Sequence, residues 1–218
     1  MEFVRNPKEI EDKSMEIIRP YLNGLSLTED EIFMYSRTIH ASGDVEYAKL
    51  VRTSEGAVAK GIAALKEGAH IYSDVNMVIT GINKRALALT GGDVHCLVAD
   101  PAVAELAKKE NITRSMAAMR SFGHELDGNI VAIGNAPTAL YEVIRLCKEE
   151  GVKPALIVGI PVGFVGAAES KDYLMEESPV PYITVKGNKG GSPIAAAVVN
   201  AMLYKLVQRD EMLFVNKK

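Results

Sequence analysis

The first part of the chain shows the spacing of apolar residues that is typical of amphipathic helices. Apolar residues recur every three to four positions, which predicts a helix over about Pro7–Leu22 and a second from Thr28 to about His40. Thr28 and Glu31 form the sequence pattern of a capping box, in which each side chain accepts a hydrogen bond from the other residue's backbone N–H. We therefore expect two leading helices without strands of their own.

From residue 50 onward, short β-branched runs alternate with helical stretches. This rhythm is typical of βαβ units, and the runs IVAIG and ALIVGI are apolar at every position, as in strands covered on both faces. We predict an α/β fold: a mainly parallel sheet covered by helices on both faces, in a single domain over residues 1–218. The predicted strands are LVRT, HIYSD, DVHCLVA, NIVAIG, PALIVGI and YITVKG, and the helices between and after them include Ser54–Lys66, Pro101–Glu110, Ala136–Glu150, Ala167–Glu177 and Ser192–Leu206.

Residues at the predicted helix ends support these boundaries. We expect Ser54 and Ser192 to be N-caps, because a serine hydroxyl can accept from a free N–H in the first turn. Pro193 suits a first helical position, and Gly151 suits the position after a helix C-terminus.

Composition excludes several classes of partner. Apolar residues make up 48% of the chain and charged residues 24%, and a net charge of -3 gives no overall field that would attract nucleic acid or anionic lipid. The two cysteines have no CxxC spacing, and the longest apolar stretches are broken by Gly, Pro or Asn. We predict a cytoplasmic protein with no membrane segment and no nucleic-acid partner.

Three loops follow predicted parallel strands, where ligands bind in such sheets. They are Gly134–Ala139, Pro161–Gly166 and Gly187–Pro193, and we expect them to converge on one crevice. The last loop is rich in glycine and opens a helix, so it either receives an anion or is a tight turn that needs glycines. The candidate binding residues in and beside these loops are Asn135, Lys171, Lys189, Gly190 and Ser192.

The cations and histidines narrow the chemistry further. A cluster that includes Arg37, Arg114 and Lys171 would indicate a ligand with several carboxylates or phosphates. No two histidines stand three or four residues apart, so we expect no protein-bound metal and no cofactor. His40 stands at a helix end just before Gly43, and from the residues alone both a packed side chain and a proton donor remain open.

Several longer motifs carry a resemblance to a known family. They are RTIHASG at Arg37–Gly43, TRS at Thr113–Ser115, GNAPTAL at Gly134–Leu140, PVGFVGAAESK at Pro161–Lys171 and GNKGGS at Gly187–Ser192. With these motifs the chain resembles the precorrin-8X / cobalt-precorrin-8 methylmutases, the precorrin isomerases of cobalamin biosynthesis. The motifs keep the family's order and span most of the chain.

The resemblance implies a homodimer that moves a methyl group from C-11 to C-12 of a tetrapyrrole, either precorrin-8X or cobalt-precorrin-8. The product would be hydrogenobyrinic or cobyrinic acid. By motif position, the resemblance places the general acid on His40 and substrate contacts on Ser14 and Arg114. The chain departs from the family pattern at Asn188, where an arginine is expected; Lys189 could supply that charge.

The residues fit this chemistry, and two alternatives stay open. A sigmatropic shift needs no nucleophile or redox centre, and protonating a ring nitrogen can promote it. The macrocycle would need an apolar cleft, for which Met77, Met119, Phe164 and Val165 are candidates, although each could equally be an ordinary core residue. The alternatives are a phosphate-ester isomerase that holds its anion at the last loop, and a non-catalytic corrinoid-binding escort protein. Nothing in the sequence distinguishes a metal-free from a cobalt-loaded substrate.

Overall fold

The computed structural model describes residues 3–207. The helices are α1 (Pro7–Ile18), α2 (Glu29–Ser42), α3 (Tyr47–Leu50), α4 (Ala57–Lys66), α5 (Asn76–Gly81), α6 (Lys84–Leu89), α7 (Pro101–Glu110), α8 (Arg114–Phe122), α9 (Pro137–Arg145), α10 (Ala167–Glu177) and α11 (Ser192–Leu206). The strands are β1 (Val51–Thr53), β2 (Ile71–Ser73), β3 (Val94–His95), β4 (Ile130–Ile133), β5 (Leu156–Gly159) and β6 (Tyr182–Val185).

These strands form one sheet in the order β1-β6-β5-β4-β2-β3. Every neighbouring pair is parallel except β1 with β6, which is antiparallel at the edge. The predicted α/β fold with a mainly parallel sheet is confirmed. Because β4, β5 and β6 are parallel neighbours, the loops that follow them leave the sheet at the same edge.

Helices cover both faces of the sheet, as predicted. On one face, Ile130 and Ala132 of β4 pack in a core with α2–α6 and α11, which we call the front layer. On the other face, Val131 and Ile133 pack with α7–α10, the back layer. Successive side chains of a strand point to opposite faces, so the all-apolar run of β4 serves both cores.

Several predicted helix bounds were wrong for identifiable reasons. The first helix ends at Ile18 and continues as a 3₁₀ turn over Arg19–Leu22, where Pro20 lacks the N–H that an α-helix would use. Ser54 does not cap α4; its hydroxyl accepts from the Tyr182 N–H at 2.9 Å, and α4 begins after Gly56.

Two further bounds also differ from prediction. Ser192 is the first residue of α11 and Gly191 occupies the N-cap position. The helix predicted over Ala136–Glu150 is α9, followed by a π-helical turn over Leu146–Glu150 that ends at Gly151. The capping box of Thr28 and Glu31 and the end of α2 at Gly43 are as expected.

No helix within residues 3–207 is both long enough and apolar enough to cross a membrane. The domain bounds 1–218 stay a prediction, since residues 1–2 and 208–218 lie outside the described part of the chain.

Candidate functional site

The three predicted loops meet at the carboxyl edge of the sheet. The Gly163 N–H donates to the Asn188 carbonyl at 3.2 Å, which joins the loops after β5 and β6. A Cβ on Gly134, in the loop after β4, would lie 2.8 Å from the Ser192 Cα. Only glycine permits that approach, so the sequence brings the start of α11 directly against the loop after β4.

His40 lies beside this convergence, in a groove of about 360 Å³ between α2, α5 and α11. Its side chain is exposed at the last turn of α2, where the free carbonyls favour a cation. The residues that line the groove are Arg37, His40, Ala41, Gly81, Pro193, Ala196, Ala197 and Asn200. An exposed imidazole in an open groove can donate a proton to a bound ligand.

Small residues and one amide shape the groove. A Cβ on Gly81 would lie 2.8 Å from the Ala196 Cβ, so α5 and α11 approach closely. The Asn200 side chain holds the end of α5, because it donates to the Gly81 carbonyl at 2.9 Å and accepts from the Asn83 N–H at 2.8 Å. Sequence reasoning missed Asn200; its signal was a lone amide within an otherwise apolar helix.

Arg37 faces the same groove as His40 but already has partners. Its Nη1 donates to the Glu11 carboxylate at 2.6 Å, and its guanidinium lies over the Tyr204 ring at 5.4 Å. The pair with Glu11 links α1 to α2. A ligand carboxylate would therefore share Arg37 with Glu11 or displace it.

Lys189 connects the glycine-rich loop to the segment just after His40. Its Nζ forms ion pairs with the carboxylates of Asp44 and Glu46. These carboxylates raise the Lys189 pKa, and hydrogen bonding from Lys189 lowers the Asp44 pKa. All three side chains are well exposed, so a ligand carboxylate could exchange for either partner at small cost.

Lys171, a candidate binding residue, does not lie on the surface of the crevice. Its side chain is fully buried, and its Nζ donates to the Lys189 carbonyl at 2.7 Å. Burial lowers the pKa of Lys171 to about 8. This lysine contacts the loop rather than open space.

The Asp74 carboxylate binds backbone N–H groups of the loop after β4, one of the three loops predicted to form the crevice. The carboxylate accepts from Gly134, Asn135 and Ala136 at 2.9, 3.0 and 2.6 Å. Burial raises the pKa of Asp74, and the three N–H donors oppose that shift. Sequence reasoning missed Asp74, although an aspartate directly after a buried strand was the available signal. The exposed Asn135 side chain stays available to a ligand.

Arg114 and Ser14 are not among the residues that line the His40 groove. Arg114 is the exposed first residue of α8 and lines a different cavity of about 670 Å³, beside Thr113 and Thr138. The hydroxyls of those two threonines are 2.7 Å apart. The Ser14 hydroxyl donates to the Ile10 carbonyl within α1. The structure therefore groups His40 with Arg37, whereas Arg114 lines another cavity, beside Thr138 of the predicted loop after β4.

Three of the four apolar cleft candidates are exposed at the surface. Met77, Phe164 and Val165 are 68%, 92% and 91% exposed, whereas Met119 is fully buried in the back layer. The prediction that Met119 lines the cleft was therefore wrong. Phe164 and Val165 belong to the loop after β5, beside the convergence described above.

Comparison with known proteins identifies the family. The family model described as precorrin-8X methylmutase matches residues 9–205. The chain belongs to the precorrin-8X methylmutase family. Its members are methylmutases of cobalamin biosynthesis, so the chain is an isomerase whose substrate class is the tetrapyrroles.

Relatives of this methylmutase family carry both substrate names. A cobalt-precorrin-8 methylmutase from Methanocaldococcus jannaschii is 46% identical over 89% of this chain and 91% of its own length. A precorrin-8X methylmutase from Sinorhizobium is 41% identical over 92% of this chain and 96% of its own length. A precorrin-8X methyl mutase structure from Thermus thermophilus is 38% identical with a TM-score of 0.81, covering 89% of this chain and 95% of that one.

Within this methylmutase fold, residues 3–207 contain no group of three or more His, Cys, Asp or Glu side chains placed to hold a metal ion. His70 and His95 are packed together with ring centroids 5.2 Å apart, and His95 stacks on Tyr72. His124 pairs with Asp127 at 2.8 Å. None of these three histidines is among the residues that line the His40 groove.

Proposed function

We propose that this enzyme moves the methyl group from C-11 to C-12 of precorrin-8X or cobalt-precorrin-8, with His40 as the general acid. The observation that carries the proposal is the placement of an exposed His40 imidazole in the groove beside Pro193, at the start of α11. Cobyrinic or hydrogenobyrinic acid would be the product.

One N–H donor is sufficient for this chemistry. A hydrogen bond or proton from His40 to a nitrogen of the macrocycle shifts electron density in the conjugated ring and favours the rearranged double bonds. The methyl group migrates within the same molecule, so no atom is gained or lost. His40 takes the proton back when the product leaves.

The carboxylate arms of the substrate require cations and N–H groups around the ring. Arg37 in the groove and Lys189 beside it can reach such arms by exchanging their present carboxylate partners. Direct contacts by Ser14, Arg114, Asn135, Gly190 and Ser192 stay predictions. Ser192 is only 6% exposed, so its contact would be limited to the edge of the groove.

We also propose that the enzyme works as a cytoplasmic homodimer. A tetrapyrrole with its arms is larger than the His40 groove of about 360 Å³. Exposed apolar residues near the site, Phe164 and Val165, and along α1, Ile10 and Ile17, offer surface that a second copy could cover.

The test is incubation of the enzyme with metal-free and with cobalt-loaded precorrin-8, followed by absorbance. Conversion of one substrate to the spectrum of its product supports the proposal and identifies the natural form. Binding of either compound without any spectral change would contradict it and would favour an escort protein.

A further inference from the structure

The buried lysine of α10 has no part in the proton transfer proposed above. The Lys171 side chain has no exposed surface, and its Nζ donates to the Lys189 carbonyl at 2.7 Å. Burying an ammonium group is costly unless an acceptor compensates for the lost water. The contact with the Lys189 carbonyl gives the buried ammonium group an acceptor that compensates for part of this cost.

The loop that Lys171 contacts packs closely against the end of β5. The Gly191 N–H donates to the Ile160 carbonyl at 2.9 Å, and the Asn188 carbonyl accepts from Gly163. A Cβ on Gly190 would lie 2.7 Å from the Ile160 carbonyl oxygen, so only glycine fits there. Lys171 adds a side-chain hydrogen bond from α10 to this main chain.

The opposite side of the same loop contacts the segment that follows His40. The Lys189 Nζ pairs with Asp44 and Glu46. Lys189 is thus held at two ends. Its carbonyl is held from the back layer, and its ammonium group is held at the end of α2.

We propose that Lys171 is a positioning residue for substrate binding. By fixing the Lys189 carbonyl, it orients the Lys189 side chain and the Gly190–Ser192 entry into α11 toward the carboxylate arms of the ligand. The identity of that ligand, a polycarboxylate corrinoid beside His40, rests on the proposed function; the mechanical role of Lys171 rests on the contacts above.

This role predicts a particular kinetic pattern. The loop binds the arms of the substrate and does not donate the proton. A displaced loop therefore weakens binding of the substrate and binding of the transition state about equally. We expect Lys171→Met to raise KM about tenfold, the effect of losing one hydrogen bond to a charged group, and to leave kcat within about threefold.

The experiment compares Lys171→Met and Lys171→Gln with Lys66→Met, which removes an exposed lysine at the end of α4. Steady-state kinetics with precorrin-8 are measured for each, together with hydrogen exchange of the amides of residues 187–192 in the free enzyme. Both Lys171 variants should exchange faster in this segment and show the raised KM, while Lys66→Met should match the wild type. In a Lys189→Met background, Lys171→Met should raise KM by much less than tenfold, since the two residues act through one loop.

Unchanged exchange and unchanged KM would overturn the proposal, as would a loss confined to kcat or full additivity with Lys189→Met. If neither variant folds, the side chain is required for folding and the positioning role is also rejected. If the wild-type enzyme fails to convert precorrin-8, the proposed function is wrong. In that case the exchange data still decide whether Lys171 holds the loop.

Discussion

At the scale of single residues, the site combines exposed groups that can meet a ligand with buried groups that hold loops. His40 belongs to the first kind; Asp74 and Lys171 belong to the second. A buried charge is tolerated only where hydrogen-bond partners replace water. In both cases the partners are backbone groups of loops at the carboxyl edge of the sheet.

Asp74→Asn should destabilise the protein. One carboxylate oxygen becomes an NH₂ group facing the backbone donors of Gly134, Asn135 and Ala136, so at least one buried N–H loses its acceptor. We expect the free energy of unfolding to fall by about 1–3 kcal/mol in urea titrations. Asp12→Asn, at an exposed position of α1, is the control. Equal stability of the two variants would contradict this account of Asp74.

The lowered pKa of Lys171 predicts how the stability of the protein depends on pH. This pKa is lowered from 10.5 to about 8 by burial, with Asp172 opposing the shift, so between these values the unfolded chain binds more protons. Below pH 8 the buried side chain is charged and lowers the free energy of unfolding by its full penalty. As the pH rises from 8 to 10.5 this penalty is lost, and the free energy of unfolding increases by about 3 kcal/mol. Lys171→Met removes this rise. A stability difference between wild type and variant that is constant over that range would contradict the prediction.

At the scale of elements, a buried carboxylate ties α8 to α9. Glu142 has no exposed surface, and it accepts from Arg120 at 2.8 Å and from Arg145 at 2.6 Å. Burial would raise the Glu142 pKa, but hydrogen bonds from the two arginines outweigh it and hold that pKa below its ordinary value. The stability from this group is present above pH 4.5 and is lost as pH falls through the lowered value.

Glu142→Gln should cost about 1–3 kcal/mol of unfolding free energy, because one buried oxygen becomes an NH₂ group that faces the guanidinium groups of Arg120 and Arg145. The loss is limited because both arginines keep other carboxylate partners. Glu149→Gln is a matched control, since Glu149 pairs with the same Arg145 at 3.1 Å but its side chain is 64% exposed. We expect the control to lose less than about 1 kcal/mol in the same denaturant titration. Similar losses for both variants would show that burial of Glu142 is not decisive.

Local signals predicted some element boundaries and not others. Thr28 caps α2 as expected, because a capping box involves only neighbours in the sequence. Ser54 has the same local signal, yet its hydroxyl bonds to Tyr182 of β6. A contact between residues so far apart in sequence depends on the register of β1 with β6, which no local pattern contains.

The same distinction between local and long-range contacts applies to the functional site. Convergence of the three loops followed from the order of strands and helices, since parallel neighbours end at one edge. The partners of the charged groups did not follow from that order. Asp74 accepts hydrogen bonds from the N–H groups after β4, and Lys189 forms ion pairs with Asp44 and Glu46. Both sets of partners come from distant parts of the chain, so they appear only once the fold is known.

At the scale of the whole molecule, we expect a homodimer. Sedimentation velocity should give twice the mass of the chain at micromolar concentration, because the exposed apolar residues of α1 and of the loop after β5 need a cover. Ile17→Lys and Phe164→Lys, measured separately, show which surface is used. A monomer for the wild-type protein at all concentrations would contradict the dimer.

The central claim concerns one imidazole, and it is tested by the rate of conversion of precorrin-8 by His40→Asn, followed by absorbance under saturating substrate. Asparagine fills a similar space but cannot deliver a proton. We predict a fall in kcat of about 10²–10⁴-fold, with binding of hydrogenobyrinic acid weakened far less. Turnover by His40→Asn at the wild-type rate would contradict the role of His40 as general acid.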